Sequence, residues 1–580
     1  MILVLGGTTE GRKAAQTLAQ AGKPFYYSTK TGEQELSLQH GVSICGAMDK
    51  AAMEQFCREH QIRLLVDAAH PFAAQLHATV AEVAAAQLLP AIRFERIFPE
   101  RDETIDWVNG VGDIAFKTGE RRVLSTLGVQ SIRRLMPLQG AGRRILFRIL
   151  PRESSIRLAQ AQGASADDLC FYREGADELQ ELQRLHPDVL LLKESGISGG
   201  FVEKVVAAKS LGIRVIAIRR PPTPGIFHVV NGERGLRREV ERLVPDFFAL
   251  RSGLTTGTCA TAAAVAALCR LQTGTTPSEV PVRLPDGETI RVAVGYADGY
   301  AFCVKDAGDD PDVTNGAEVR ATVTSSDRFE VCGGEGVGRF TVPGFDFPPG
   351  EAAINRGPRQ MLRDNIQGDY SITISVAHGA ELARRTFNPR LGIEGGISII
   401  GVSGIVMPYS EEAFIESIRK CVEVACASGA GRLVLGSGAK SEDSLRALYP
   451  DLPSQAFVQY GNFVGKTLQM AAELKIKEVT LGVMLGKAVK LAAGQLDTHS
   501  RRATFDRDFL RQLLTETDCD ATLADGITLV RELWQRLSPA QIEPFARVVV
   551  NHCYSHCQPL IPEAHLTILL IDDDGRIVGC

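Results

Sequence analysis

Four carboxylates, Asp306, Asp309, Asp310 and Asp312, crowd the segment Val304-Lys-Asp-Ala-Gly-Asp-Asp-Pro-Asp-Val-Thr-Asn-Gly316. Gly308 and Pro311 break it, so it can be neither helix nor strand throughout. It reads as a tight loop after the short run Tyr300–Val304. Acids packed this closely repel, so such a loop meets water, a cation or donors on a substrate. Read in isolation it is as well a solvated turn. Asp306, Asp309 and Asp310 are the candidates for chemistry, as holders of ribose hydroxyls, of a cationic group or of a substrate edge.

Upstream, Thr255-Thr-Gly-Thr-Cys-Ala opens an Ala-rich stretch that reads as a helix over 258–271. Thr255 or Thr256 can cap it. Free amides near Thr255, Thr256 and Gly257 then face whatever lies at that end, a carboxylate included. Cys259 falls in the first turn, where a thiol becomes more acidic. Further along, Gly436-Ser437-Gly438 after a strand and Gly461-Asn462 before a helix are ligand-loop candidates. Lys487, Lys490, His499 and Arg501 supply cations for an anionic substrate, or plain surface charge. His552, Cys553, His556 and Cys557 are the one cluster of metal-ligand types, in a spacing that fits no standard zinc pattern. They read as an ordinary helix end, and no metal is expected.

The N-terminal half carries its own candidates. Gly6-Gly7-Thr8-Thr9-Glu10 follows an apolar strand and starts a helix, an arrangement whose amides cradle phosphate. The spacing is not G-x-G-x-x-G, so a tight packing turn is an equal reading. The second strand ends at Ser28-Thr29-Lys30 without the carboxylate that holds the ribose of NADH. Lys30 suits a 2′-phosphate, which favours NADPH over NADH. His70, in Asp67-Ala-Ala-His-Pro-Phe, and Lys193, Ser195 and Gly196, in Lys-Glu-Ser-Gly, each follow a strand. Open α/β sheets bind ligands at that edge.

The elements that position these residues differ between the halves. Residues 1–245 alternate apolar strands with Ala-rich helical stretches, the pattern of parallel sheets. Strands are expected at 1–5, 24–28, 64–68, 91–94, 122–125, 144–149, 189–192 and 214–218. They suit two doubly wound sheets, with the chain crossing near Gly140–Arg144 and subdomains of about 1–140 and 141–245. Residues 246–250 read as a linker. Residues 280–345 look like short antiparallel strands with turns. After about 395 the chain returns to α/β, with strands near 397–400, 432–435 and 479–483.

At 580 residues, 44% hydrophobic and 23% charged, the chain is an ordinary multi-domain globular protein. A net charge of −5 argues against nucleic acid as a main partner. No apolar run reaches membrane-spanning length. The start, Met1-Ile-Leu-Val-Leu-Gly-Gly, has no basic leader. The thirteen cysteines are scattered, as free thiols are in a reducing compartment, so a cytoplasmic location is expected.

Two resemblances sharpen this reading. From Arg251 to the end the chain resembles the cobalt-precorrin-5B methyltransferases of anaerobic cobalamin biosynthesis. The likeness runs through Thr-Thr-Gly-Thr-Cys-Ala (255–260), Lys-Asp-Ala-Gly-Asp-Asp-Pro-Asp-Val-Thr (305–314), Thr-Phe-Asn-Pro-Arg-Leu-Gly-Ile-Glu-Gly-Gly (386–396), Tyr-Gly-Asn-Phe-Val-Gly (460–465) and Thr-His-Ser-Arg (498–501). Residues 1–245 resemble precorrin-6A reductase through Gly6-Gly-Thr-Thr-Glu-Gly11, Asp67, His70-Pro71-Phe72-Ala73, Lys193-Glu-Ser-Gly196 and Arg220-Pro221. Ala69 and Phe72 depart from that family's Thr and Tyr.

The resemblances imply two Rossmann-like parallel-sheet domains in the N-terminal half. They imply a mixed α+β C-terminal half, residues 251–580, with an antiparallel and an α/β region. S-adenosylmethionine would methylate carbon 1 of a cobalt-corrinoid precursor, and NADPH or NADH would then reduce the product. The implied nicotinamide site is Gly6, Gly7, Thr8, Thr9, Glu10, Lys30, His70, Lys193, Ser195 and Gly196. S-adenosylmethionine would meet Gly436, Ser437, Gly438, Gly461 and Asn462. The corrinoid would meet Thr255, Thr256, Gly257, Lys487, His499 and Arg501. A homo-oligomer is compatible with this reading. Two others stay open: an active methyltransferase half beside a structural reductase half, and a non-catalytic tetrapyrrole carrier. No residue of the N-terminal half is an evident general acid.

Overall fold

The computed structural model describes residues 1–30, 39–140, 142–173, 175–499 and 505–578. The chain forms two compact units: Met1–Ser252 with Arg283–Arg291, and Gly253–Val282 with Val292–Cys580.

The first unit holds two six-stranded, wholly parallel sheets. One is built from β1 (Ile2–Leu5), β2 (Phe25–Thr29), β3 (Gly41–Cys45), β4 (Leu64–Asp67) and β5 (Ala91–Phe94). The other takes β6 (Asp106–Val108), β7 (Arg122–Ser125), β8 (Arg144–Ile149), β9 (Leu169–Phe171), β10 (Val189–Lys193) and β11 (Arg214–Ile218). The chain then returns to the first sheet as β12 (His228–Val230). The spatial orders are β3-β2-β1-β4-β5-β12 and β9-β8-β7-β10-β11-β6. Each contains the 3-2-1-4-5 winding of dinucleotide-binding folds, which reverses between its first and fourth strands.

Strands buried on both faces read as unbroken apolar runs, and β1 shows why. Ile2 and Val4 pack into one core layer with Phe25, Leu64 and Val66. Leu3 and Leu5 pack into the opposite layer with Met53, Leu65 and Val80. Each such side chain taken fully from water contributes about 1.5–3 kcal/mol. Thr8 ends the turn after β1 by capping the helix Thr9–Ala19, its Oγ1 accepting from the Gly11 amide at 3.0 Å.

Two expectations are corrected here. The crossing between sheets lies between Phe94 and Asp106, not near Gly140–Arg144, because β8 pairs in register with β7 across that turn. The subdomain limits of 1–140 and 141–245 fall with it. Residues 246–250 are no loose linker either. Phe247 and Phe248 are each 5% exposed and pack into the first sheet's core, while Asp246 pairs with Arg63 at 2.6 Å.

The second unit begins with a long buried helix, Thr256–Thr273, packed on a five-stranded sheet. The sheet order is Gly295–Ala297, Tyr300–Val304, Glu318–Ser325, Tyr370–Val376 and Glu330–Gly333. All neighbours are antiparallel except the last pair. The α/β region holds Phe457–Gln459, Leu433–Gly436, Glu478–Met484 and His565–Ile571 as parallel neighbours in that order. Its order reverses between Leu433–Gly436 and Glu478–Met484. Residues 397–400 are not a strand: Ile397 and Ile399 make isolated bridges to Val337 and Ile354. Cys553 and Cys557 are wholly buried in the α/β core on the helix Pro539–Cys557. Among the described residues no helix is long and apolar enough to cross a membrane.

Candidate functional sites

In the first unit the strand-end loops at both reversals of winding carry the expected residues. Gly6 and Gly7 follow β1. A Cβ on Gly6 would lie 2.3 Å from the Tyr27 ring, so close packing demands glycine there. Gly7 has φ +89° and faces open space, but its amide already donates to the Tyr27 hydroxyl at 3.0 Å. Thr8 Oγ1 donates to the Ala68 carbonyl at 2.7 Å, tying the β1 turn to the β4 turn. Thr9 opens the helix. Lys30, exposed, ends the segment after β2, and no carboxylate stands beside it at Ser28 or Thr29.

Glu10 is 6% exposed and draws both sheets' loops together. Arg96 Nε donates to it at 3.0 Å, and the Ser198 hydroxyl hydrogen-bonds its other oxygen. Burial opposes its charge, but Ser198 and Arg96 outweigh burial and hold its carboxyl below the usual range. Arg96 Nη1 also donates to the Ser195 carbonyl at 2.8 Å. Gly196, at φ +74°, leaves room for Arg96: a Cβ there would come within 2.8 Å of the Arg96 Cβ. Arg96 and Arg93 escaped the sequence reading. The signal was present, since an arginine inside Ala91-Ile-Arg-Phe94 interrupts a buried apolar run.

Behind this crevice lies a buried brace. Asp67, with no exposed surface, accepts from Arg93 Nη1 at 2.9 Å and from the Ala69 amide at 3.1 Å, and meets His77 Nδ1 at 2.5 Å. His70 projects from the same loop, and the Phe72 amide donates to its Nδ1 at 3.2 Å. Burial, then the Arg96 and Lys193 charges, push the His70 imidazole down to about 4. Lys193, at the end of β10, places its ammonium 5.1 Å from the centre of the Phe72 ring. Burial lowers its pKa.

In the second unit a cavity of about 850 Å³ opens beside the buried helix. Its walls are mostly apolar, with Phe345, Ile393, Ile397, Ile405, Met407 and Phe414 among them. Thr255 and Thr256 line it, as do Lys305, Asp312 and Thr314 from the acidic loop. Asp306, Asp309 and Asp310 do not. Asp306 Oδ1 accepts from the Gly308 amide at 3.0 Å, Asp310 Oδ1 from the Tyr409 amide at 3.1 Å, and Asp309 is exposed. The acid that reaches the cavity is Asp312. Lys305 Nζ, on a side chain 1% exposed, donates to Asp312 Oδ2 at 2.6 Å. Thr314 donates to Oδ1 through its amide at 2.7 Å and its hydroxyl at 2.6 Å. Burial resists the Asp312 charge, yet Lys305 and Thr314 hold its carboxyl below the ordinary range.

The free-amide reading of Thr255–Gly257 is corrected. The Gly257 amide donates to the Ile400 carbonyl at 2.9 Å, and the Thr258 amide to Thr255 Oγ1 at 3.1 Å. A Cβ on Gly257 would lie 2.8 Å from Pro358, so this glycine serves packing. Thr256 Oγ1 binds the Ile400 amide at 2.9 Å. Thr255 and Thr256 still line the cavity, with their hydroxyls engaged in these internal hydrogen bonds.

A third arrangement occupies the reversal of the α/β sheet. Gly436 ends its strand, and Ser437 leads to Gly438, the cap of the helix Ala439–Leu448. Ser437 Oγ lies 3.2 Å from Ser441 Oγ. Gly461, at φ +60°, offers its carbonyl to Lys487 Nζ at 2.6 Å, and the Asn462 carbonyl accepts from the Thr498 amide at 3.0 Å. Burial, aided by Lys490, lowers Lys487 to about 8. His499 is anchored through its amide to Asp497 at 3.1 Å. Arg501 lies outside the described residues.

Comparison with known proteins adds to this geometry. Residues 1–238 match the family described as precorrin-6x reductase CbiJ/CobK. Residues 245–408 match the CbiD family, and residues 497–580 its C-terminal domain. The cobalt-precorrin-5B C(1)-methyltransferase of Prosthecochloris aestuarii is 44% identical over 359 residues, covering 57% of this chain and 97% of that protein. The protein of the same name from Brucella anthropi is 42% identical over 320 residues, covering 51% and 87%. A solved structure titled CobK precorrin-6A reductase aligns with 42% of this chain and 96% of its own, at 22% identity and a TM-score of 0.35.

Proposed function

Because the chain belongs to the cobalt-precorrin-5B C(1)-methyltransferase family and carries a precorrin-6x reductase segment ahead of it, we propose that it performs two consecutive steps of cobalamin biosynthesis. The C-terminal unit methylates carbon 1 of cobalt-precorrin-5B with S-adenosylmethionine. The N-terminal unit reduces the product, cobalt-precorrin-6A, with NADPH or NADH. The observation that carries this reading is the pair of separate sites, a strand-end crevice in one unit and a large apolar-walled cavity in the other.

The cavity suits a macrocycle with apolar faces and a carboxylate fringe. Ile393, Ile397 and Phe345 offer apolar walls; Arg390 and Lys420 also line it, paired with Glu442 and Glu423, and a substrate carboxylate would share those cations. Bound S-adenosylmethionine supplies an electrophilic methyl group on a sulfonium. Glu412, Glu416 and the ring of Phe414 also line the cavity, and carboxylates with an aromatic face suit a cation. Asp312, fixed by Lys305 and Thr314, holds a substrate donor in register. The chain's work here is alignment and exclusion of water, since methyl transfer needs no protein nucleophile.

In the N-terminal unit the open space at Gly7 fits the close approach of a phosphate to a helix start. Thr8, Thr9 and Ser195 would hold a dinucleotide there, with Lys30 placed toward a 2′-phosphate. The group supplies a hydride when bound. His70, unprotonated at neutral pH, offers a hydrogen bond without adding charge.

Incubation of the full chain with cobalt-precorrin-5B, S-adenosylmethionine and NADPH or NADH tests the reading by product mass. Gain of one methyl followed by gain of two hydrogens is expected. Methylation alone would make the N-terminal unit a structural module, and no mass change would leave a carrier.

A further inference from the structure

We propose that Lys193 is the proton donor of the reduction, its Nζ–H supplying the proton that accompanies the hydride onto the macrocycle. The proposal rests on the reductase reading above and names a catalytic residue for it.

Reduction of one double bond needs a hydride and a proton. The hydride brings two electrons from a dihydronicotinamide, which is oxidised, and forms one C–H bond. The π electrons of the reduced bond then form a second bond to hydrogen, taking the proton from the Lys193 ammonium. Lys193 is left as a neutral amine and recovers a proton from water.

The placement of Lys193 suits this role. It ends β10, one of the two strands flanking the winding reversal of the second sheet, and it meets Phe72 from the loop at the reversal of the first. Among the described residues no carboxylate pairs with its ammonium and no acceptor takes a hydrogen bond from it. A half-buried ammonium that faces an aromatic ring and no carboxylate is unusual, because burial penalises the charge and the Phe72 ring offsets it only in part.

The titratable groups nearest Lys193 on these loops are poorer donors. Glu10, from the helix after β1, is an ionised carboxylate held by Ser198 and Arg96. Asp67, at the end of β4, is ionised and sealed behind Arg93 and His77. His70 carries no extra proton at neutral pH. Glu194, next along the chain, is bound by Arg101 at 3.0 Å. Arg96 and Arg93 do not release protons. Lys193 is the acid that remains among these groups, and lowering an amine toward the working pH improves it as a donor.

A carboxylate-binding lysine would look similar, so the test separates charge from proton transfer. In the full chain, single-turnover reduction of cobalt-precorrin-6A by NADPH is followed against pH for the parent, Lys193→Arg and Lys193→Gln. The parental rate should fall tenfold per pH unit above a midpoint lower than 10.5. Lys193→Arg keeps the charge but gives up no proton, so its rate should fall by about a hundredfold or more and lose that pH limb. Methylation by the same preparations reports that the second unit of each variant is intact, and if Lys193→Arg does not fold, the pH limb of the parent and its acylation profile decide.

An independent readout is the pH dependence of acylation of Lys193 in the parent, measured on its peptide by mass. It should show a midpoint below that of exposed lysines. Reduction by Lys193→Arg within threefold of the parent, or a labelling midpoint like that of exposed lysines, overturns the proposal. A parent that binds NADPH yet reduces nothing overturns the reductase reading and the proposal with it.

Discussion

Asp67 Oδ2 lies 2.5 Å from His77 Nδ1, and the far nitrogen of the same ring meets the His70 carbonyl at 3.2 Å. A carboxylate at the end of one strand thereby fixes, through a helix residue ten positions on, the loop that carries the crevice histidine. Arg93 closes the arrangement from β5, binding the Asp67 side chain and the Ala69 carbonyl, each at 2.9 Å. Removing any one member strands a buried partner.

Asp67→Asn should therefore cost the first sheet about 3–5 kcal/mol, the range for breaking one side of a buried ion pair. Hydrogen exchange of the intact chain checks this locally. Amides of β1, β4 and β5 should lose protection, while those of Glu478–Met484 keep theirs. The sign with pH follows from the direction of the Asp67 displacement. Burial would raise it, but His77 and Arg93 prevail and hold it below 3.8. Its contribution is then fully present above the ordinary carboxylate range and lost as pH falls below it.

His70 adds to this in the same direction, at a higher pH. A base whose folded value is about 4, against 6.5 when unfolded, takes up a proton on unfolding between those limits. The first unit should lose stability as pH falls from 6.5 toward 4, by up to about 3 kcal/mol. Urea denaturation followed by exchange of β4 amides at pH 7 and pH 4.5 measures it. His70→Gln should flatten that part of the profile. An unchanged slope in the variant would assign the loss to other groups.

The sequence exposed the interior of the fold and hid its rims. All eight strands expected in the first unit sit inside the two sheets, because strands buried on both faces must be apolar throughout. The four not foreseen, β3, β6, β9 and β12, are the four sheet edges. They are half-exposed; Ser43, Asp106 and His228 interrupt β3, β6 and β12, and β9, Leu169-Cys-Phe, is too short a run to stand out. The site divides in the same way. Glu10, His70 and Lys193 were legible because they follow apolar strands at glycine or proline turns. Arg96 and Lys305 were not, because a buried cation is recognised by a partner distant in sequence: Glu10 for one, and for the other whichever of four neighbouring acids turns inward.

Cofactor choice can be read at Lys30. It stands exposed at the end of the strand next to β1, with no acid at positions 28 or 29. Lys30→Glu should raise KM for NADPH about fivefold and leave KM for NADH near the parental value, since an exposed ion pair is worth about 1 kcal/mol. Steady-state reduction with each dinucleotide checks this. Equal changes for both would remove Lys30 from the site.

The acidic loop yields the sharpest contrast, because its four carboxylates are chemically alike and differently placed. Asp309 is exposed and does not line the cavity, so Asp309→Asn should methylate within twofold of the parent. Asp312 lines the cavity and neutralises Lys305, whose side chain is 1% exposed. Asp312→Asn keeps the shape and removes the charge, leaving an ammonium buried without its counter-ion. Stability of the second unit should drop by about 3 kcal/mol, the low end for a buried pair because Asp312 keeps some contact with water. Methylation should fall more than tenfold even where the protein remains folded. Assay with cobalt-precorrin-5B and S-adenosylmethionine, beside hydrogen exchange of Glu318–Ser325, separates the two effects. If Asp309→Asn loses methylation and Asp312→Asn retains it, the loop acts from its outer face and the cavity is not where the reaction occurs.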